Sequence, residues 1–206
     1  GSISILGIAG NSNMPNYFIL NLDNAGSIIQ SAGINNPNYK LNKIKTAPNC
    51  DIYITGRYLA YPALGNFGYT CFIAKLNPNL ELIWAKEIDV ENFSCSAPKI
   101  SISGNGSVFF IYASNGNFPS VLGQISSSGN LIWHKGYNFF TPKISVQNLD
   151  QPYIISKRKY FPDGSFSNAL LIASTDPQGN IDNCPQFSSC VNFSDFDFPL
   201  EEWQWQ

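Results

Sequence analysis

The sequence predicts an all-β fold, and three observations carry that prediction. The phrase Asn79-Leu80-Glu81-Leu82-Ile83-Trp84-Ala85-Lys86 returns as Ser128-Gly129-Asn130-Leu131-Ile132-Trp133-His134-Lys135, each time a polar turn followed by a β-prone apolar run. Charged residues make up 13% of the chain, so the polar quota falls to Asn, Ser, Gly and Gln, which suit turns better than solvated helices. No segment sustains a helical apolar period, and the one short candidate, Leu59 to Leu64, contains Pro62.

The elements follow in order. Ser2-Ile3-Ser4-Ile5-Leu6-Gly7 aligns with Asp51-Ile52-Tyr53-Ile54-Thr55-Gly56 of the next unit, and Tyr17-Phe18-Ile19-Leu20-Asn21-Leu22 and Ser27-Ile28-Ile29 supply two more strands, the last entered through Ala25-Gly26. A second unit opens at Asn42-Lys43-Ile44-Lys45, turns at Pro48-Asn49-Cys50, and continues as Asp51-Ile52-Tyr53-Ile54-Thr55-Gly56. Phe72-Ile73-Ala74-Lys75-Leu76 and the strand carrying Trp84 complete it. The third unit repeats this as Pro98-Lys99-Ile100-Ser101, the turn Gly104-Asn105-Gly106, Ser107-Val108-Phe109-Phe110-Ile111, Ser120 to Ile125, and the strand carrying Trp133. The fourth runs through Pro142-Lys143-Ile144-Ser145, Pro152-Tyr153-Ile154-Ile155 and Ala169 to Ala173, and the pattern stops after Gln178-Gly179-Asn180-Ile181.

A complete unit is thus four strands in about 45–55 residues, the period of a propeller blade. The predicted architecture is a β-propeller of about four four-stranded antiparallel blades, near residues 1–33, 40–88, 96–137 and 140–183, complete in itself or part of a larger ring. A two-sheet sandwich is the competing arrangement. The first unit lacks its own first strand. The Cys-containing tail, 184–206, alternates from Val191 to Phe198, and is expected either to close the ring by completing the first unit or to lead into a further domain.

Composition narrows the function. A net charge of -2 gives no electrostatic case for nucleic acid or an anionic membrane, and no apolar run is long enough to insert into a bilayer. The cysteines, Cys50, Cys71, Cys95, Cys184 and Cys190, form no CxxC pair, which argues against zinc. Cys184 and Cys190 lie close together in the polar tail and form a candidate disulfide, consistent with an extracellular or cell-surface setting. His134, the one histidine, sits beside Lys135 and is expected to be an exposed strand residue. Asp51, Asp89, Glu91, Asp150 and Asp163 are the carboxylates available for glycoside chemistry, but Asp51 and Asp150 read as turn residues. Asp195-Phe196-Asp197, Asp176 and Asp182 fall short of the oxygen density calcium needs. No catalytic group, cofactor or metal is expected.

The polar turn followed by Leu-Ile-Trp-x-Lys, with the two hairpins around it, resembles bacterial β-propeller repeats of the quinoprotein-like type, over Ser2 to about Asn183. The resemblance implies a propeller scaffold in a secreted or surface protein without enzymatic activity, and Asn183-Cys184-Pro185 looks like the Cys-containing exit some such proteins carry. Gln30 and Asn183 stand where the repeat's Trp would be, which implies looser docking near the ends. Ser126-Ser127-Ser128-Gly129 departs from the sialidase turn box, since Ser128 replaces its Asp and Trp133 falls four residues after Gly129.

In such a unit the turns between strands one and two, and three and four, share one face, and they are short here. The connections on the other face are long and rich in rings and cations: Arg57, Tyr58, Tyr61, Phe67, Tyr69, Phe118, Lys157, Arg158, Tyr160 and Phe161 are the candidate ligand-binding residues. Trp84 and Trp133 are expected to fill gaps between neighbouring sheets. The expected function is a non-enzymatic binding or adhesion module for a glycan or protein. The alternatives are a structural repeat packed on neighbouring subunits of a surface filament, and a propeller-based glycan-active enzyme.

Overall fold

The computed structural model describes residues 3–9, 16–60, 68–90, 95–112, 120–137, 139–140, 143–146, 152–156, 158–160, 166–167, 171–181, 186–187 and 191–202. These residues form strands and turns without a helix, and every strand pairing among them is antiparallel. Sheet one contains β1 (Ile3–Ala9), β2 (Asn16–Leu22) and β3 (Ile28–Ile34). Sheet two contains β4 (Tyr39–Thr46), β5 (Ile52–Ala60), β6 (Gly68–Leu76) and β7 (Leu82–Val90). Sheet three contains β8 (Lys99–Ile102), β9 (Val108–Tyr112), β10 (Ser120–Ile125) and β11 (Leu131–Tyr137). After β12 (Phe139–Phe140) comes sheet four, made of β13 (Lys143–Val146), β14 (Pro152–Ser156) and β17 (Leu171–Ser174). A small ribbon pairs β12 with β15 (Arg158–Tyr160) and β15 with β16 (Phe166–Ser167).

One turn geometry recurs through the chain. In each case the fourth residue donates its N–H to the first carbonyl, and the first N–H reaches the fifth carbonyl, as in Asp23–Ser27, Ala47–Asp51, Asn77–Glu81, Ser103–Ser107, Ser126–Asn130 and Asp176–Asn180. This is a type I turn closed by a left-handed residue and a bulge, the usual three-residue hairpin solution. Gly26, Gly106, Gly129 and Gly179 hold the left-handed position, while Cys50 (φ 67°) and Leu80 (φ 58°) occupy it without being glycine. Asp and Asn at the first position accept the turn's own N–H groups, Asp23 from Ala25 and Ser27, Asn77 from Asn79 and Glu81, Asp176 from Gln178 and Asn180. Cys50 is exposed, so Cys50→Gly removes backbone strain without removing packing. It is expected to raise unfolding stability by about 1 kcal/mol in a denaturant titration.

The sheets pack face to face in series. Alternation along each strand sends successive side chains to opposite neighbours. Ile52 and Ile54 of β5 join Tyr17, Ile19 and Ile34 in a core between sheets one and two, whereas Tyr53 between them joins Ile100, Phe110 and Val121 in a core between sheets two and three. A third core holds Ile111, Leu122 and Tyr137 against Ile154 and Ile181, joining sheets three and four.

The two indoles lock this series. A Cβ on Gly129 would lie 2.9 Å from Trp84 Cγ, and one on Gly179 would lie 2.5 Å from Trp133. Each indole of one sheet therefore rests on the turn glycine of the next, as the sequence predicted for gaps between sheets. Trp84 also donates Nε1–H to the Ser127 carbonyl (3.1 Å), and the Tyr137 hydroxyl donates to the Gly179 carbonyl. Sheet one has Gln30 at the register position of Trp84, opposite Asn21 as Trp84 is opposite Lys75. There the next sheet carries buried Leu80 in place of glycine, and Gln30 and Leu80 line one cavity. Where the indole is absent, the left-handed turn position thus carries a core side chain in place of glycine.

The described tail strands do not complete the first unit beside β1. They run back along the outer edges of the sheets, pairing β18 (Gln186–Phe187) with β11, β19 (Val191–Asp195) with β7, and β20 (Glu201–Glu202) with β3. Outer edges that would otherwise present unpaired N–H and C=O groups are covered in three sheets. Phe196, Phe198 and Leu200 anchor the tail in the core between sheets one and two, and Phe193 packs on the core between sheets two and three. The Lys86 ammonium pairs with the Asp195 carboxylate.

A disulfide that the sequence reading missed joins Cys71 on β6 to Cys95 before β8, with Cα atoms 5.7 Å apart. The candidate pair Cys184 and Cys190 lies outside the described residues.

Candidate functional site

The inner edges of the sheets come together, with β1 against β4 and β13 against β8. Where the long connections leave sheets one, two and three, a cavity of about 530 Å³ opens. Its walls draw Tyr17 from sheet one, Lys40 and Arg57 from sheet two, and Ser96, Lys99 and Tyr112 from the entry and far end of sheet three. The described walls bring three cations and no carboxylate.

Two of the wall cations share one partner. The Arg57 guanidinium lies over the Tyr69 ring, 4.1 Å from its centroid, and Lys40 donates to the Tyr69 hydroxyl at 3.2 Å. Cation–ring contact at a half-exposed site contributes about 0.5–1 kcal/mol and fixes the plane of the guanidinium. The Cys95 N–H donates to the Tyr69 carbonyl (2.8 Å), and the disulfide ties the same segment to β6, so Ser96 and Ala97 are set by two crosslinks.

Lysines extend the charge along the inner edges. Lys43 faces Thr55, Lys99 faces Ile111 and Lys143 faces Ile155, the same register position in three sheets, since Ile44–Ile54, Ile100–Phe110 and Ile144–Ile154 are equivalent pairs. Burial pushes the Lys99 ammonium below the usual lysine range, and Lys143 and Lys43 push it further the same way. Lys45 is lowered by burial and then by Lys43. Lysines of different sheets therefore sense one another, and a bound anion would relieve that repulsion.

Two other cavities differ in kind. One of about 630 Å³ lies at the opposite end, between the turns at Pro48, Gly104–Gly106 and Ser127. Its cation, Lys75, is already engaged by Asp51 Oδ2 (2.8 Å) and the Ser127 carbonyl (3.3 Å). Although burial works against the charge, the Asp51 carboxylate and the Tyr53 phenol hold Lys75 above its ordinary pKa. The other, of about 670 Å³, is an outer-edge groove partly covered by Phe198, Leu200 and Glu201 of the tail.

No protein-family model matches the sequence, and no curated protein matches it either.

The candidate binding residues divide. Arg57 lines the cavity, and Tyr69 supports it from below. Tyr58 is held elsewhere, stacked on Tyr39 at 5.2 Å and Phe196 at 5.8 Å, with its hydroxyl donating to Glu87 at 2.5 Å. Its ring anchors the tail. Tyr61, Phe67, Phe118, Lys157 and Phe161 lie outside the described residues. Arg158 and Tyr160 belong to β15, which pairs with β12 and β16. Sequence reasoning passed over Tyr17, Lys40, Lys99 and Tyr112. The repeated Lys-Ile pair at 43–44, 99–100 and 143–144 was the available signal for the lysines. His134 is half-buried rather than exposed, and burial lowers its pKa. Asp51 pairs with Lys75 and receives a bond from Asn49 Nδ2 at 2.7 Å, a structural set of contacts at a turn.

Proposed function

We propose that the chain is a non-enzymatic extracellular binding module, built from propeller-type sheets, that takes an acidic glycan at the cavity where sheets one, two and three meet. The observation that carries the reading is the wall composition: Lys40, Arg57 and Lys99 with Tyr17 and Tyr112, and no carboxylate among the described walls. Carboxylate or sulfate groups match the guanidinium fork and the ammonium groups, while the buried rings of Tyr17 and Tyr112 form a rigid apolar backing. Serial face-to-face packing, with a tryptophan on the following turn at two of the three interfaces, supports propeller-type sheets, and a buried disulfide supports an oxidising compartment.

Calorimetry with uronic-acid and sulfated oligosaccharides, against neutral ones of equal length, tests this. Acidic ligands are expected to bind and to weaken as salt rises. Arg57→Ala and Lys99→Gln are each expected to reduce affinity about tenfold, or ~1.4 kcal/mol. Arg57→Lys is expected to fall well short of full recovery, because an ammonium keeps the charge but not the planar fork. Equal binding of neutral and acidic sugars, or variants that bind as the parent does, would overturn the proposal. Selective binding of an acidic protein instead would retain the cavity and change the ligand class.

A further inference from the structure

The two ends of the sheet series expose opposite faces of the same repeat. On sheet four, Ile155 is 40% and Ile172 is 62% exposed. Register makes Ile155 the equivalent of Ile111, and Ile172 the equivalent of Leu122 and Ile73, which are 1%, 0% and 0% exposed inside the series. These are the residues that pack forward onto the next sheet. On sheet one, Ile3 is 58% and Ile5 is 40% exposed. The motif alignment Ser2–Gly7 with Asp51–Gly56 makes them equivalent to Ile52 and Ile54, which pack backward onto the preceding sheet and are 1% and 0% exposed. Gly26 agrees: a Cβ there would meet nothing within 4 Å, whereas Gly129 and Gly179 each carry an indole from the sheet before.

Among the described residues, no segment covers either face. The described tail strands pair with the outer edges of sheets three, two and one, not with their faces. Sheet one therefore presents a backward face and sheet four a forward face, and these two faces meet at every interface within the chain. At each of those interfaces a forward face meets a backward face and never its own kind, which favours a head-to-tail contact over a symmetric pair.

We propose that a second copy of this chain docks head to tail, with the forward face of sheet four (Ile155, Ile172) packed on the backward face of sheet one (Ile3, Ile5) of the next copy. Such a heterologous contact closes into a ring or extends as a filament, depending on the rotation per copy. It goes beyond the ligand reading and does not depend on it, since the cavity lies within one copy.

Sedimentation velocity across a wide concentration range, with Ile5→Asp and Ile172→Asp variants, tests the proposal. The parent is expected to form dimers and larger species as concentration rises. Each variant is expected to sediment as a monomer alone, because each loses one of the two faces. Mixed together, the variants are expected to form a dimer that grows no further, since one intact forward face meets one intact backward face. Both positions are exposed in the single chain, and far-UV circular dichroism checks that each variant is folded. A parent that stays monomeric throughout, variants that associate as the parent does, or monomeric variants that fail to pair on mixing would each overturn the proposal.

Discussion

Replacing Gly129 by alanine is expected to destabilise the chain by about 2–5 kcal/mol, the sum of a left-handed backbone cost and the displacement of a packed indole. The two parts separate experimentally. Gly26 has nearly the same backbone, φ +83° against φ +88°, but open space where Gly129 meets Trp84. Gly26→Ala is therefore expected to cost only the backbone part, about 1–2 kcal/mol. Guanidinium unfolding of the two variants measures the difference directly. Equal losses would show that Trp84 contributes nothing to docking sheet two on sheet three.

The second large effect is expected from the Cys71–Cys95 bond. It closes a loop across a sequence separation of 24 residues, and chain-entropy reasoning assigns such a crosslink about 3–4 kcal/mol. The double variant Cys71→Ala with Cys95→Ala is expected to lose that amount in the same titration, and the parent in reducing buffer is expected to lose a similar amount. Exposed Cys50 serves as the control, because Cys50→Ala leaves the bond intact. The loss also reaches the cavity. Ser96 and Ala97 line it directly after Cys95, so acidic-ligand affinity is expected to fall with reduction even where the chain stays folded. Unchanged stability on reduction would mean that the Tyr69–Cys95 backbone bond and the core between sheets two and three already fix this segment.

The strands and turns were legible because their signals are local. The repeat and the turns before them marked β5 and β9, and the polar turns before Leu82 and Leu131 marked the outer hairpins. The role of Trp84 and Trp133 as spacers was legible too, from their placement in a repeated phrase. What escaped was long-range pairing. Val191–Asp195 reads as a half-buried strand, but nothing in its residues names β7 as its partner, and the antiparallel edge of any outer strand offers the same ladder. The cysteine pairing failed for the same reason. Closeness in sequence favoured Cys184 and Cys190, whereas Cys71 and Cys95 meet only because β6 and the entry to β8 are neighbours in the fold. The site was half legible: Arg57 and Tyr69 stood out as ring-and-cation loop residues, but Lys99 looked like ordinary strand decoration until the inner edges were seen to converge.

An anion seated among Lys40, Arg57 and Lys99 is central to the proposed function. Amide shift mapping of isotope-labelled protein, titrated with a sulfated oligosaccharide, tests that most directly. Saturable shifts are expected at Tyr17, Lys40, Arg57, Ser96, Lys99 and Tyr112, with the turns at Gly104–Gly106 and Ser127 silent. Shifts confined to those turns or to the outer-edge groove at Gln30 and Leu82, with the cavity residues unmoved, would contradict it.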